Sequence, residues 1–309
     1  QVGRSSKTDV AIVYMKDRVK QNVLDEVLRR IQKINVDSLT MNKESLAEEM
    51  FPRSWYNPFP RFKYTERPDT TAACLLEGSV VVMVDNSPAA MIIPTSLFSI
   101  LEDANEYYFP PITGTYLRLT RMATSVIAVY ITPILLLLLQ NPQWVPQSLS
   151  FIQIHDPINV PVIIQLLILE FAIDGLKMAS INTPNMLTTP LSIVAGIVFG
   201  DYTVSSGWFN AEIMLYMSFV AVANYTQSNM ELGYALKFFR IMLLILTAWF
   251  DLAGFVIGST ILILALLFNP VLEGKGYLYP LVPFNGPLLL KHFFRVSLPY
   301  SEKQQKRNG

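Results

Sequence analysis

Glu170 and Asp174 stand four residues apart in an apolar stretch, with Lys177 three residues further on. On a helix that spacing puts both carboxylates on one face, with the lysine on nearly the same side. The group is either a cation site or a self-neutralised pair. Asp251 interrupts a second apolar run, and its nearest basic residue, Arg240, is three helical turns away. Its charge must therefore be satisfied by water, an ion or another helix, with a hydrogen bond to Ser259 or Thr247 as the bland alternative. A carboxylate in hydrocarbon costs roughly 2.5–3.5 kcal/mol on insertion scales, so all three acids should face a bundle interior or water. The chemistry on offer is attraction of a cation, and Asp251, Glu170 and Asp174 are the candidate ion-pathway residues. Asp201 and Glu212 read as membrane-surface charges that need no function.

The sequence carries none of the usual soluble-enzyme signatures: no GxxxxGK[ST] loop, no GxGxxG after a strand, no HExxH and no GxSxG elbow. One cysteine, Cys74, excludes an internal disulfide framework, and His155 and His292 lie far apart without cysteine partners. No enzyme activity, cofactor or metal site is expected. The 24 basic and 24 acidic residues give no electrostatic case for nucleic acid. Their distribution is informative, because between Met122 and Phe268 charge is confined to Asp156, Glu170, Asp174, Lys177, Asp201, Glu212, Glu231, Lys237, Arg240 and Asp251. Apolar runs approaching the roughly 20 residues needed to cross a bilayer mark an integral membrane protein.

The fold class expected is a soluble α/β N-terminal region followed by an α-helical transmembrane domain of about four to six membrane segments. Residues 1–115 form the α/β domain, the C-terminal part of a larger cytoplasmic domain; 116–268 form the helical domain; 269–309 form a cytoplasmic basic tail. In the first, the spacing predicts a strand over Val10–Tyr14, a helix over Val19–Ile34, and a second helix opened by a capping box at Ser45-Leu-Ala-Glu48. Strands are predicted from Ala72 to a Glu77-Gly78 turn, over Ser79–Val84, and beyond an Asp85-Asn86-Ser87-Pro88 turn through Ile93. In the second, Leu117–Leu139 is the clearest span, kinked at Pro133. Pro161–Met178, Leu187–Phe199 and Glu212–Tyr225 follow, and Ile241–Phe268 reads as a broken or re-entrant hairpin. Gly196/Gly200 and Gly254/Gly258 are spaced to let helix backbones approach. Arg118, Arg121, Lys237 and Arg240 should share the cytoplasmic side.

The stretch Phe59–Asp69, with Arg67-Pro68-Asp69, and Leu75-Leu76-Glu77-Gly78-Ser79-Val80 resemble the A subunits of spore germinant receptors, the GerA type. So do Tyr116–Arg121, Ala195–Gly200 and Glu231–Arg240 ending Phe238-Phe239-Arg240, in the family's order. At Ile173–Ser180 the chain departs from the receptor pattern and is more similar to the stage V sporulation AF branch, associated with amplifying germination rather than with sensing nutrients. The resemblance implies a multi-pass protein of the bacterial spore inner membrane. It would form an oligomer with itself and with other spore inner-membrane proteins, in contact with the lipid bilayer, and help monovalent cations leave the spore during germination. A secondary transporter or a non-conducting scaffold subunit is the alternative.

Overall fold

The computed structural model describes residues 1–52, 56–182, 196, 203–272 and 276–295. The chain separates into two compact units, residues 1–121 with 228–232 and 263–309, and residues 122–227 with 233–262.

The first unit is built on an antiparallel sheet of β1 (Val10–Val13), β2 (Lys63–Thr65), β3 (Val80–Val84) and β4 (Ala90–Ile93), in the order β1-β3-β4-β2. The β-branched run of β3 suits a central strand, and Val80, Val81 and Val82 are completely buried, so both faces of the sheet are covered. On one face lie α1 (Gln21–Lys33) and α2 (Lys43–Met50), which bring Val23, Leu24, Val27, Leu46 and Met50 against Val80, Val82, Met91 and Ile93. On the other, Cys74 and Leu75 of α3 (Pro68–Leu76) pack on Val81, Ala90 and Ile92. Fully burying one such valine stabilises by about 1.5–3 kcal/mol. The turn between β3 and β4 puts Asn86 at φ 57°, a conformation asparagine tolerates better than most residues.

Two expectations are corrected here. The segment from Ala72 is helix rather than strand: Pro68 sits in the first turn of α3 with Asp69, and the following Thr-Thr-Ala-Ala-Cys-Leu-Leu continues it. The fourth strand is instead Lys63–Thr65. The α2 helix starts at Lys43 after Asn42, so Ser45 lies inside it and its hydroxyl accepts from the Met41 N–H rather than capping. A short helix α4 (Leu97–Leu101) does carry a capping box, between Ser96 and Ser99.

The second unit is helical. Its members are the later part of α5 (Pro111–Gln140), α6 (Val162–Asn182), α7 (Ala211–Tyr225) and most of α8 (Met230–Leu267). Leu136, Leu166, Leu169, Ile213, Met217 and Leu244 form its shared core. Pro133 lies inside α5, which continues as helix to Gln140. The expected helix Leu187–Phe199 and Asp201 lie outside the described residues, Gly196 apart.

Although α8 covers 38 residues, it is not one rod. Asp251 has φ 52° and ψ −133°, far from helical values. A Cβ added to Gly258 would come within 2.7 Å of the Leu243 side chain, and one on Gly254 within 1.9 Å of the Leu246 carbonyl oxygen. In a straight helix Leu243 and Gly258 would be about 22 Å apart along the axis. The chain therefore reverses at Asp251 into a hairpin, with an entry arm, 230–250, and a return arm, 252–267. Gly254 lets the arms meet backbone to backbone and Gly258 makes room for the Leu243 and Leu246 side chains, a close approach that the spacing of the pair predicts. α5 and the entry arm run parallel, since Ala128 meets Arg240, Gln140 meets Ala248 and Asn141 meets Asp251.

Candidate functional site

The acids singled out in the sequence fall at two places in the helical unit. Glu170 is 2% exposed on α6, and its carboxylate is gripped by the Arg240 guanidinium of the entry arm through both Nε and Nη2, the latter at 2.7 Å. Arg240 is fully buried, and its remaining nitrogen Nη1 donates to the carbonyl of Ala128 on α5. One turn earlier, Lys237 Nζ donates to the Glu170 carbonyl at 2.9 Å, lies 3.4 Å from the Glu170 carboxylate and pairs with Asp174. Two acids on one helix thus face two bases on another, and a guanidinium ties both helices to a third. The planar fork of arginine suits this bidentate grip, and charge-assisted bonds are the strong kind.

Of the two readings left open for this group, self-neutralisation would have paired Asp174 with Lys177, and the structure pairs it with Lys237. Lys177 instead lies with Nζ 4.9 Å from the centre of the Tyr234 ring, a cation–π contact. The true partners are about 65 residues away in sequence, so local spacing carried no sign of them; Arg240 and Lys237 were legible only as orientation charges.

Asp251 is held differently. Its carboxylate Oδ1 accepts from Asn141 Nδ2 at 2.7 Å, a neutral amide rather than a base, at the end of α5. Asn141 also donates to the Leu137 carbonyl and is 7% exposed. Neither Thr247 nor Ser259 bonds Asp251; both hydroxyls are buried without a hydrogen-bond partner. Asn141, two residues past the Leu117–Leu139 span, is the residue that sequence reasoning missed. Glu212 accepts from the His155 backbone N–H at 3.5 Å. Among the described residues no group of three or more His, Cys, Asp or Glu is placed to hold a metal ion.

The first unit has buried charge of its own. Glu106, completely buried, binds both Arg118 Nε and Arg121 Nη1 at 2.8 Å, and Glu102 bonds His292 Nδ1 at 2.7 Å on α9 (Gly286–Phe293). Burial opposes ionisation of Glu102, but His292, Arg118 and Lys63 outweigh it and hold the carboxyl below its ordinary range. Arg67 chelates Asp69 and bonds Asn105, while Tyr108 donates to Asp69.

Comparison with known proteins is consistent with the motifs. The family model for the Bacillus/Clostridium GerA spore germination protein matches residues 1–307. The chain is 38% identical over 97% of its length to stage V sporulation protein AF of Bacillus subtilis. It is 28% identical over 92% of its length to spore germination protein GerQA of Bacillus cereus, and 26% identical over all of it to spore germination protein A1 of Bacillus subtilis. It spans 60%, 57% and 64% of those relatives. The crystal structure of the N-terminal domain of the A subunit of the Bacillus megaterium spore germinant receptor GerK3 is 35% identical over 29% of this chain and 71% of that one. Its TM-score of 0.22 is too low to compare the folds. With the match running the length of both units, the chain belongs to the Bacillus/Clostridium GerA spore germination protein family.

Proposed function

We propose that this chain is a membrane subunit of a spore germination complex and that its helical unit contributes to a path by which monovalent cations leave the spore. Two helices, Pro111–Gln140 and Met230–Leu267, are long and apolar enough to cross a bilayer, each with an 18-residue stretch of mean hydropathy 2.3 and 2.2 respectively, and the second is a hairpin whose arms can each enter it. In this reading the protein is a multi-pass protein of the spore inner membrane with Arg118, Arg121, Lys237 and Arg240 toward the cytoplasm. Its partners are other copies, other spore inner-membrane proteins and lipid. The observation that carries the ion path is Asp251, a carboxylate at the turn of an apolar hairpin whose protein partner is an amide. Such a group keeps its attraction for a cation, and a ring of copies would multiply it.

Glu170 and Asp174 favour a second, more modest role. Matched against Lys237 and Arg240, they hold helices together, as a non-conducting scaffold subunit would need. The test is potassium release from germinating spores carrying Asp251→Ala or Glu212→Ala, with membrane abundance measured in parallel. Slower release from Asp251→Ala at normal abundance is expected; unchanged release at normal abundance removes Asp251 from the path and leaves the scaffold reading.

A further inference from the structure

Among the described residues of the helical unit, three buried hydroxyls have no hydrogen-bond partner: Thr132 on α5, Thr247 on the entry arm and Ser259 on the return arm. Thr132 and Thr247 are completely buried. A helical threonine or serine in apolar surroundings ordinarily bonds the carbonyl four residues back. For Thr132 that carbonyl belongs to Ala128, and Arg240 Nη1 already occupies it. The buried ion pair thus displaces the hydroxyl one turn further along α5 from its local acceptor.

The other two lie along the same stretch. The Thr247 backbone nitrogen would be 3.0 Å from a Cβ on Gly254 of the return arm, and Ser259 follows Gly258, which packs on Leu243 and Leu246. The rings of Tyr130 on α5 and Phe255 on the return arm lie tilted against each other with centres 5.9 Å apart, so α5 meets that arm too. By helical spacing Thr132 shares a face with Ala128, Thr247 with Arg240 and Ser259 with Phe255, which puts the three on the faces that α5 and the two arms turn toward one another, between the Arg240 pair and the Asp251–Asn141 bond.

Buried hydroxyls left unpaired are costly, and more so in hydrocarbon, where nothing else can satisfy them. Several orphaned together in one seam have a common remedy, because a buried water needs two to four polar partners and hydroxyls supply them. We propose that bound water fills the seam between α5 and the hairpin, held by Thr132, Thr247 and Ser259 and bounded by Arg240 and Asp251. The inference rests on the reading of the helical unit as a membrane body.

The test uses the full chain in membranes, with Cys74 replaced by alanine and single cysteines at Thr132, Thr247 or Ser259. The probe is the silver ion, which reaches a buried thiol through water and not through lipid. Controls are Val126→Cys and Phe171→Cys, at positions 61% and 79% exposed on the apolar outside. Silver applied to the folded protein is expected to block maleimide labelling carried out after denaturation at the three seam positions by at least tenfold relative to the controls. Unblocked seam thiols overturn the seam whatever the controls do. Blocked controls beside blocked seam thiols overturn the membrane reading and leave the buried water standing. Should the cysteines not fold, Thr132→Val decides: a lowered melting temperature is expected from losing a water's partner, whereas a raised one shows a dry hydroxyl and refutes the proposal.

Discussion

Removing the charge from Arg240 while leaving Glu170 in place should destabilise the helical unit more than removing both. In Arg240→Met the Glu170 carboxylate, 2% exposed, loses two charge-assisted bonds and keeps only Lys237 at 3.4 Å, while the Ala128 carbonyl loses its arginine donor. Breaking one side of a buried pair costs about 3–5 kcal/mol, because the remaining ion is still away from water. The double variant Glu170→Gln/Arg240→Met leaves no buried excess charge at the pair and should recover at least about half of that loss, since a buried pair and a well-packed neutral replacement are often close in energy. For a body of this size the single change corresponds to a fall in melting temperature on the order of 10 °C. Thermal unfolding of the purified protein in detergent, wild type against both singles and the double, gives the coupling directly. A loss in the double variant equal to the sum of the two single losses would show that the pair is not coupled, and the account of α6 and the entry arm as ionically tied would fail.

Gly254→Ala should prevent hairpin closure, because its methyl would lie 1.9 Å from the Leu246 carbonyl oxygen, a backbone atom that cannot swing away; loss of folded protein from the membrane is the expected readout, and normal abundance would refute the hairpin. Cys74, whose thiol burial pushes up to about 11, should alkylate slowly at pH 8 in the native protein and quickly after denaturation. Asp69 is held well below the ordinary carboxylate range by its hydrogen bonds to Arg67 and Tyr108. A depressed folded-state pKa contributes stability that is present above the unfolded value near 4 and is lost as pH falls through the lower folded value. Melting temperature measured between pH 5 and pH 2 should therefore fall less steeply in Asp69→Asn than in wild type; parallel curves would remove Asp69 from acid stability.

Hydropathy made the long helices and the break at Asp251 legible, because an acid and a glycine inside an uncharged run leave few alternatives. The strands β3 and β4 were visible for a similar reason, as β-branched runs on either side of an Asp-Asn-Ser-Pro turn. What stayed hidden was partner choice. Nothing near Glu170 announces Arg240, and the nearer Lys177 was the only basic neighbour that local spacing offered Asp174. The α3 segment misled because its apolar residues lack helical periodicity, and the decisive signal, Pro68 with Asp69 in the first turn, precedes them. Strand β2 is only three residues long and takes its place from pairing with β4 rather than from its own composition.

The backbone at Asp251 matches the first central position of a type II′ turn, a conformation dominated by glycine. Any residue with a Cβ pays conformational strain there, of order 1–3 kcal/mol. Glycine would therefore make the turn more comfortably, and the chain places an acid where the easiest residue has no side chain at all. Asp251→Gly removes the carboxylate while relaxing the backbone, the reverse of what most substitutions do at a strained position. Whatever such a variant loses belongs to the carboxylate, since the bend itself has been made easier.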